Sequence, residues 1–232
     1  MEKHMRINFG VDYYNDKHPE RQRELEHCLA KNIENSHIDH IYMFLQPNCV
    51  APEFSKVDKV TILQQTEQIT YAGFFRHTQQ FPDDINIVAN ADIYFDETVI
   101  HALTIKKEEA WAISRYNLDS NNVPFLQGSV VGEYPTQAAH VSQDVWVFKG
   151  AVDPVEGSEM HMGTGGCDNR IAYLLVMAGY QVTNPCGKLR AYHYHMTNIR
   201  YWTTGGMHPY PHFFPRPDVE WDTNNIVSFQ SP

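Results

Sequence analysis

Only four cysteines stand in the 232 residues, Cys28, Cys49, Cys167 and Cys186, and none are paired in a C-x-x-C spacing. A thiolate zinc site or paired-cysteine redox motif is therefore not the organising feature, and the usage fits a reducing compartment. Basic residues are also few, 18 Lys and Arg against 28 Asp and Glu, for a formal net charge of -10. A protein that coats nucleic acid neutralises phosphates with clustered Lys and Arg, so that class is disfavoured and only a local basic cleft remains open. No apolar run approaches the roughly 20 residues that cross a bilayer. Met1 to Arg6 carry no apolar signal core, and neither end carries a lipidation signal. The expectation is a cytoplasmic protein without a transmembrane segment. Internal repeats and low-complexity tracts are missing too, which excludes solenoids and fibrous classes.

What is present is ordinary globular composition, 42% hydrophobic and 20% charged, enough for one well-filled α/β domain. A strand at Arg6 to Gly10 precedes a helix from Pro19 to Asn35, where Pro19 suits the first turn and Leu25, Cys28, Leu29 and Ile33 form an apolar stripe. Ile38 to Leu45 and Val57 to Leu63 have strand length and polar borders. Tyr71, Phe74, Phe75 and Thr78 recur at helical spacing, and Pro82-Asp83-Asp84 breaks the pattern before a buried strand, Ile85 to Ala89. Asp96 is placed to cap a short helix through Thr104, and Ala110 to Ser114 reads as another strand. Asn117 to Gln143 is full of breakers, Asp144 to Lys149 is strand-like, and Glu156 to Gly166 reads as an exposed loop. A helix from Asp168 to Ala178 stops at Gly179. Such alternation predicts an α/β fold, a mostly parallel sheet with helices on both faces. Residues 1–202 form the expected domain, with halves at about 1–96 and 97–202, and 203–232 form a Pro- and aromatic-rich tail.

Four stretches carry candidate chemistry. Asn90-Ala91-Asp92 sets a carboxylate just past the carboxyl end of a buried strand, where open α/β sheets bind ligands. Asp92, helped by Asn90, is chemically adequate to hold Mg²⁺ or Mn²⁺ against a diphosphate. His193 and His195 alternate on one strand face and reach one site together, and imidazole favours Mn²⁺. The Gly-rich run Gly163 to Gly166 delivers Asp168 to the first turn of a helix, where an ionised carboxylate is favoured, as a general base requires. The run is no P-loop, because no Lys-Ser or Lys-Thr follows the glycines. Asp144 and Trp146 share a strand face, a pairing that suits sugars, although Trp146 is equally suited to a core.

The order of these features, Asn90 to Asp96, Ser142 to Phe148, Gly166 to Tyr173 and then the histidines, resembles the GT-A glycosyltransferases, particularly small family-two-like members, over about Arg6 to Arg200. The resemblance implies a GT-A, Rossmann-like sheet and a metal-dependent, inverting hexosyl transfer from a nucleotide-diphosphate donor, a UDP-sugar, to a hydroxyl. It makes Asp92 the last Asp of a D-x-D motif whose first position is Asn90, Asp168 the base, and His193 or His195 the later metal ligand. It puts the nucleotide near Asp12, Tyr13 and Gln46, the diphosphate near Arg76, and substrate contacts at Gly166, Asn169 and Arg170. The acceptor is a glycan or, in a phage-type enzyme, a hydroxymethylated base in DNA, which the net charge does not favour. A sugar nucleotidyltransferase lacks its usual basic, Gly-rich opening loop at Asn8 to Asp12, and a non-catalytic carbohydrate binder would rest on Trp146, Trp202 and the tail. His208, His212 and Arg216 of the tail either line an acceptor groove or pack an oligomer interface, a homodimer being one form.

Overall fold

The computed structural model describes residues 5–127, 142–197, 199, 208 and 211–218. Strand β1 (Ile7–Tyr13) is buried along its whole length and runs three residues beyond the expected Gly10. It pairs in parallel with β2 (His40–Leu45) and β4 (Ile85–Asn90), and β2 pairs in parallel with β3 (Val60–Gln64). Three further strands, β6 (Glu109–Ile113), β9 (Val145–Lys149) and β10 (Gln181–Thr183), complete a seven-stranded sheet of order β10-β6-β9-β4-β1-β2-β3. Only β9 runs against its neighbours, β4 and β6. The sheet is therefore mostly parallel, and β9 enters the centre pointing the other way.

Helices cover both faces because successive strand residues point to opposite sides. From β1, Ile7, Phe9, Val11 and Tyr13 pack with Leu25 and Leu29 of α1 (Pro19–Glu34). From β4 and β9, Val88, Trp146 and Phe148 pack with Phe74 and Phe75 of α2 (Tyr71–Thr78) and with Ile171 and Leu175 of α3 (Cys167–Met177). Gly10 allows α2 this close: a Cβ there would stand 2.9 Å from the Phe74 ring. The Asp96 cap forms, its Oδ1 accepting from Thr98 N at 3.0 Å, and leads a 3-10 helix over Glu97–Thr104.

Two regions differ from the sequence expectation. The breaker-rich stretch holds β7 (Tyr116–Leu118) and β8 (Pro124–Leu126), which join β5 (Ile93–Phe95) and β11 (Ala191–His193) in a second sheet of order β5-β11-β7-β8. These strands are three residues long, too short for periodicity to reveal. The run Glu156 to Gly166 is not simply exposed: Ser158, Met160 and Met162 are buried, and the carbonyls of Ser158 and Met160 accept from Ala72 N and Tyr71 N at the start of α2. Among the described residues no helix is long and apolar enough to cross a membrane. Trp202 and most of the 203–232 tail lie outside the described residues.

Candidate active site

Asp92 sits in the two-residue turn between β4 and β5, at the carboxyl end of the parallel strands. Strand β11 pairs antiparallel with β5, and Tyr194 N donates to the Asp92 carbonyl at 3.0 Å. That pairing brings His193, 101 residues away in the chain, to 3.0 Å between its Nε2 and Asp92 Oδ2. His195, just past the end of β11, places Nδ1 3.8 Å from the same oxygen. One ligand atom from each of Asp92, His193 and His195 lies within 4.8 Å of the others.

Helix α1 supplies what the sequence reading missed. Arg21 donates from Nη2 to Asp92 Oδ2 at 2.5 Å and from Nη1 to Glu24 Oε2 at 2.8 Å. Glu24 in turn accepts from Thr197 N at 2.7 Å, tying the segment after His195 to the helix. Asn32 bonds β5 on both sides, donating to Ile93 O and accepting from Phe95 N. A signal was present: Arg21, Asn32 and the apolar Leu25 and Cys28 share one helical stripe, so polar side chains occupied the buried face.

Burial by itself would raise the Asp92 carboxyl, but His193 and Arg21 outweigh it and hold the group well below the usual carboxylate range. Of these, Arg21 is the permanent charge; burial and Arg115 draw the His193 imidazole below its ordinary value, and Asp92 pulls against them. His195 is lowered to about 4 by burial, Arg21 and His193. The His193 ring has a defined orientation. Asn117 Oδ1 accepts from Arg115 Nε at 3.3 Å and faces His193 Nδ1 at 2.9 Å, so Nδ1 carries the hydrogen. Nε2 is then the nitrogen that faces the carboxylate oxygen, 3.0 Å away, where either a proton or a metal cation can lie between them. His195 Nε2 is also buried without a hydrogen-bond partner among the described residues. One carboxylate oxygen and two imidazoles suit Mn²⁺ better than Mg²⁺. The residues present fit a divalent transition ion.

Asn90 is turned away from this cluster. Its Nδ2 donates to Asp144 Oδ1 at 2.7 Å, and Asp144 Oδ2 accepts from Arg115 Nη1 at 2.7 Å. Asp144, just before β9, thus has both carboxylate oxygens engaged, by Asn90 and Arg115, where the sequence suggested a sugar contact. Trp146, expected beside it as a sugar platform, is completely enclosed and stands edge-on to Tyr71 in the core. The central place of β9 between β4 and β6 is the reason: Val145 and Val147 pack on one face of the sheet and Trp146 and Phe148 on the other. Ala91 is buried beside Asp92.

Asp168 lies in the first turn of α3, after Gly166 with its left-handed φ of 73°. Its Oδ2 accepts from Gln143 N at 3.0 Å, and burial followed by the nearby Asp144 charge raises it to about 6. Asn169 donates to Gln143 Oε1 and to Phe213 O, and Arg170 Nη1 donates to Pro211 O, so the described part of the tail holds the turn that carries Asp168. His208 meets Thr164 Oγ1 at 2.9 Å, and His212 Nε2 lies 3.0 Å from the His208 carbonyl. Arg216 belongs to the same described stretch.

At the end of β1, Asp12 accepts from Gln46 Nε2 and from Gln68 Nε2, the latter at 2.7 Å. Burial raises Asp12 to about 6 against the pull of those amides. Gln68 was not foreseen, since it precedes α2 in a polar loop. Tyr13 is fully buried, its hydroxyl receiving Gln22 Nε2 at 3.2 Å. Arg76, expected near a diphosphate, pairs instead with Glu159 at 2.9 Å on the outer side of α2, with 57% of its side chain exposed.

No protein-family model and no curated protein matches the sequence. Solved structures do. A mannosyltransferase, PcManGT from Pyrobaculum calidifontis in complex with GDP-Man and Mn²⁺, aligns with TM-score 0.51 at 12% identity, over 85% of this chain and 59% of its own. GalNAc-T7 with UDP, GalNAc and Mn²⁺ aligns with TM-score 0.51 at 11% identity, over 88% and 45%. S. aureus TarS 1-349 aligns with TM-score 0.53 at 10% identity, over 82% and 60%. This chain therefore spans between 45% and 60% of the length of these three structures. At such identities the likeness is one of fold, and the chain has the fold of the GT-A glycosyltransferases.

Proposed function

We propose that the chain is a metal-dependent glycosyltransferase that moves a sugar from a nucleotide-diphosphate donor, a UDP-sugar, to a hydroxyl acceptor with inversion. The carrying observation is the convergence of Asp92, His193 and His195 at the carboxyl end of the parallel strands, with His193 Nε2 facing the Asp92 carboxylate. Mn²⁺ is the favoured ion, and when bound it would offset the charge of the departing diphosphate. Asp92, His193 and His195 would hold it, and Arg21 keeps Asp92 ionised. Asp12, with Gln46 and Gln68 as its amide partners, offers a carboxyl and two amides at the end of β1 for a nucleobase and ribose.

Asp168 is the base of this reading. As the acceptor oxygen bonds to the anomeric carbon, the bond from that carbon to the diphosphate oxygen breaks, and the hydroxyl proton passes to an Asp168 carboxylate oxygen. A single displacement of this kind inverts the anomeric centre. Gln143 N and the first turn of α3 fix the carboxylate, and Asn169, Arg170 and the 211–218 stretch border it where an acceptor would enter. The chain spans only part of the matched structures, and the acceptor is proposed no further than a hydroxyl compound in a cytoplasmic setting.

The test is nucleotide release from a panel of UDP- and GDP-sugars, with Mn²⁺, with Mg²⁺ and with chelator. Release that needs Mn²⁺, falls with Asp92→Ala and survives as donor binding but not turnover in Asp168→Asn is the expected pattern. No release and no Mn²⁺-dependent nucleotide binding across the panel would sink the reading.

A further inference from the structure

Arg115 follows β6 and precedes β7, a position that the reaction outlined above does not use. Its side chain is 11% exposed and makes two separate connections. Nη1 donates to Asp144 Oδ2 at 2.7 Å, and Nε donates to Asn117 Oδ1 at 3.3 Å. Asn117 Oδ1 meets His193 Nδ1 at 2.9 Å, and Asp144 Oδ1 receives Asn90 Nδ2 at 2.7 Å. The residue before Asp144 is Gln143, whose backbone N–H holds Asp168 Oδ2 at 3.0 Å. One guanidinium therefore touches both chains of contacts, one ending at the imidazole that faces Asp92 and the other at the strand start that holds Asp168.

We propose that Arg115 is a positioning residue that couples the metal-ligand arm of the site to its base arm. Resting on the glycosyltransferase reading, the inference adds a residue that touches neither substrate nor metal. Through Asn117 it fixes the His193 ring: an amide oxygen held by an Arg N–H can only accept, so Nδ1 donates to it and Nε2 is the nitrogen left to face Asp92. Through Asp144 it neutralises the carboxylate nearest Asp168 and keeps Asn90 and the end of β4 in register with the start of β9. The planar fork is required, because the two acceptors lie in different directions and a lysine ammonium reaches one of them at most.

The experiment separates the two arms in the full chain. Mn²⁺ affinity is measured by titration calorimetry and turnover by nucleotide release at saturating Mn²⁺. Asn117→Ala should weaken Mn²⁺ binding by about 10–100-fold, the usual effect of losing a ligand's outer partner, while turnover at saturating Mn²⁺ stays near wild type. Asp144→Asn should lower turnover and leave Mn²⁺ affinity near wild type. Arg115→Met should show both losses, and Arg115→Lys, which keeps a cation opposite Asp144, only the loss of Mn²⁺ affinity. A folded Arg115→Lys protein with wild-type Mn²⁺ affinity overturns the proposal.

Nitrogen NMR of the His193 ring in metal-free protein adds a readout that needs no ion. Nδ1–H is expected in wild type, with a shift toward Nε2–H in Asn117→Ala and Arg115→Lys. An unchanged tautomer in both variants overturns the positioning role. A chain that binds no Mn²⁺ but shows the tautomer change removes the glycosyltransferase reading and leaves Arg115 in place.

Discussion

Asn90 Nδ2 lies 2.7 Å from Asp144 Oδ1, so the residue at the first position of the acidic motif is a strap between the end of β4 and the start of β9. This changes what the missing first Asp means. An aspartate at 90 would set a second carboxylate against Asp144, where Asn90 now donates. Asn90→Asp is predicted to strengthen neither metal binding nor turnover. It should lower stability by about 2 kcal/mol, the scale of losing a hydrogen bond to a charged group, and raise the apparent pKa of the carboxylate pair. Denaturant unfolding at pH 7 and at pH 5 checks this: the loss should be smaller at pH 5, where one carboxyl holds a proton.

Asp168 is raised to about 6 by burial and by Asp144, and as the proposed base it should set a pH limit on turnover. A base must be ionised, so turnover should fall as pH drops through about 6. The stability consequence has the opposite sense. A carboxyl whose folded pKa lies above its unfolded value holds its proton more tightly in the fold, a contribution present in full below the unfolded value of 3.8 and lost as pH rises through about 6. Asp168→Asn should therefore abolish transfer while raising the melting temperature at pH 7 to 8, by up to about 2 kcal/mol of stability. A variant both inactive and less stable would assign Asp168 a structural role.

Asp12 obeys the same sign and a different readout. Its carboxyl is also raised to about 6, and Gln46 and Gln68 contact it directly. If this corner holds the nucleobase, Gln68→Ala should weaken nucleoside-diphosphate binding by roughly 5–30-fold, the equivalent of one or two kcal/mol. Mn²⁺ affinity measured without nucleotide should be unchanged. Calorimetric titrations of UDP and of Mn²⁺, each alone, separate the two.

Trp146 gives a prediction through its burial. Enclosed between α2, α3 and the sheet, it contributes packing, and Trp146→Ala should cost about 3–5 kcal/mol. Trp146→Phe, which retains most of the volume, should keep the donor KM of the wild type. A large rise in KM with unchanged stability would return the indole to the binding site.

The order of the elements was legible in the sequence because it rests on local periodicity. The stripe of α1, the apolar run of β4 and the Gly-rich approach to α3 each announce themselves within a few turns of chain. Asp92 and Asp168 could be singled out because strand ends and helix starts are visible locally, and His193 with His195 because alternation is visible locally. What periodicity could not show was direction and depth. Strand β9 reads the same whether parallel or antiparallel, and its central antiparallel place is what buries Trp146 and turns Asp144 toward Asn90 and Arg115. Strands β7, β8 and β11 carry three residues each and exist through pairing alone.

The sequence by itself thus determined the α/β class, the mostly parallel sheet and the acidic, imidazole and Gly-rich stretches where chemistry could reside. Only the tertiary structure decided which side chains meet: that Arg21 and Glu24 of the first helix hold Asp92 and Thr197, that Asn117 sets the His193 ring, and that Arg115 links that ring to Asp144. The physical reason is range. Helical and strand patterns arise from neighbours a few residues apart, whereas a buried charge finds its partner only after the sheet has closed, across 71 residues for Arg21 and Asp92 and 101 for Asp92 and His193.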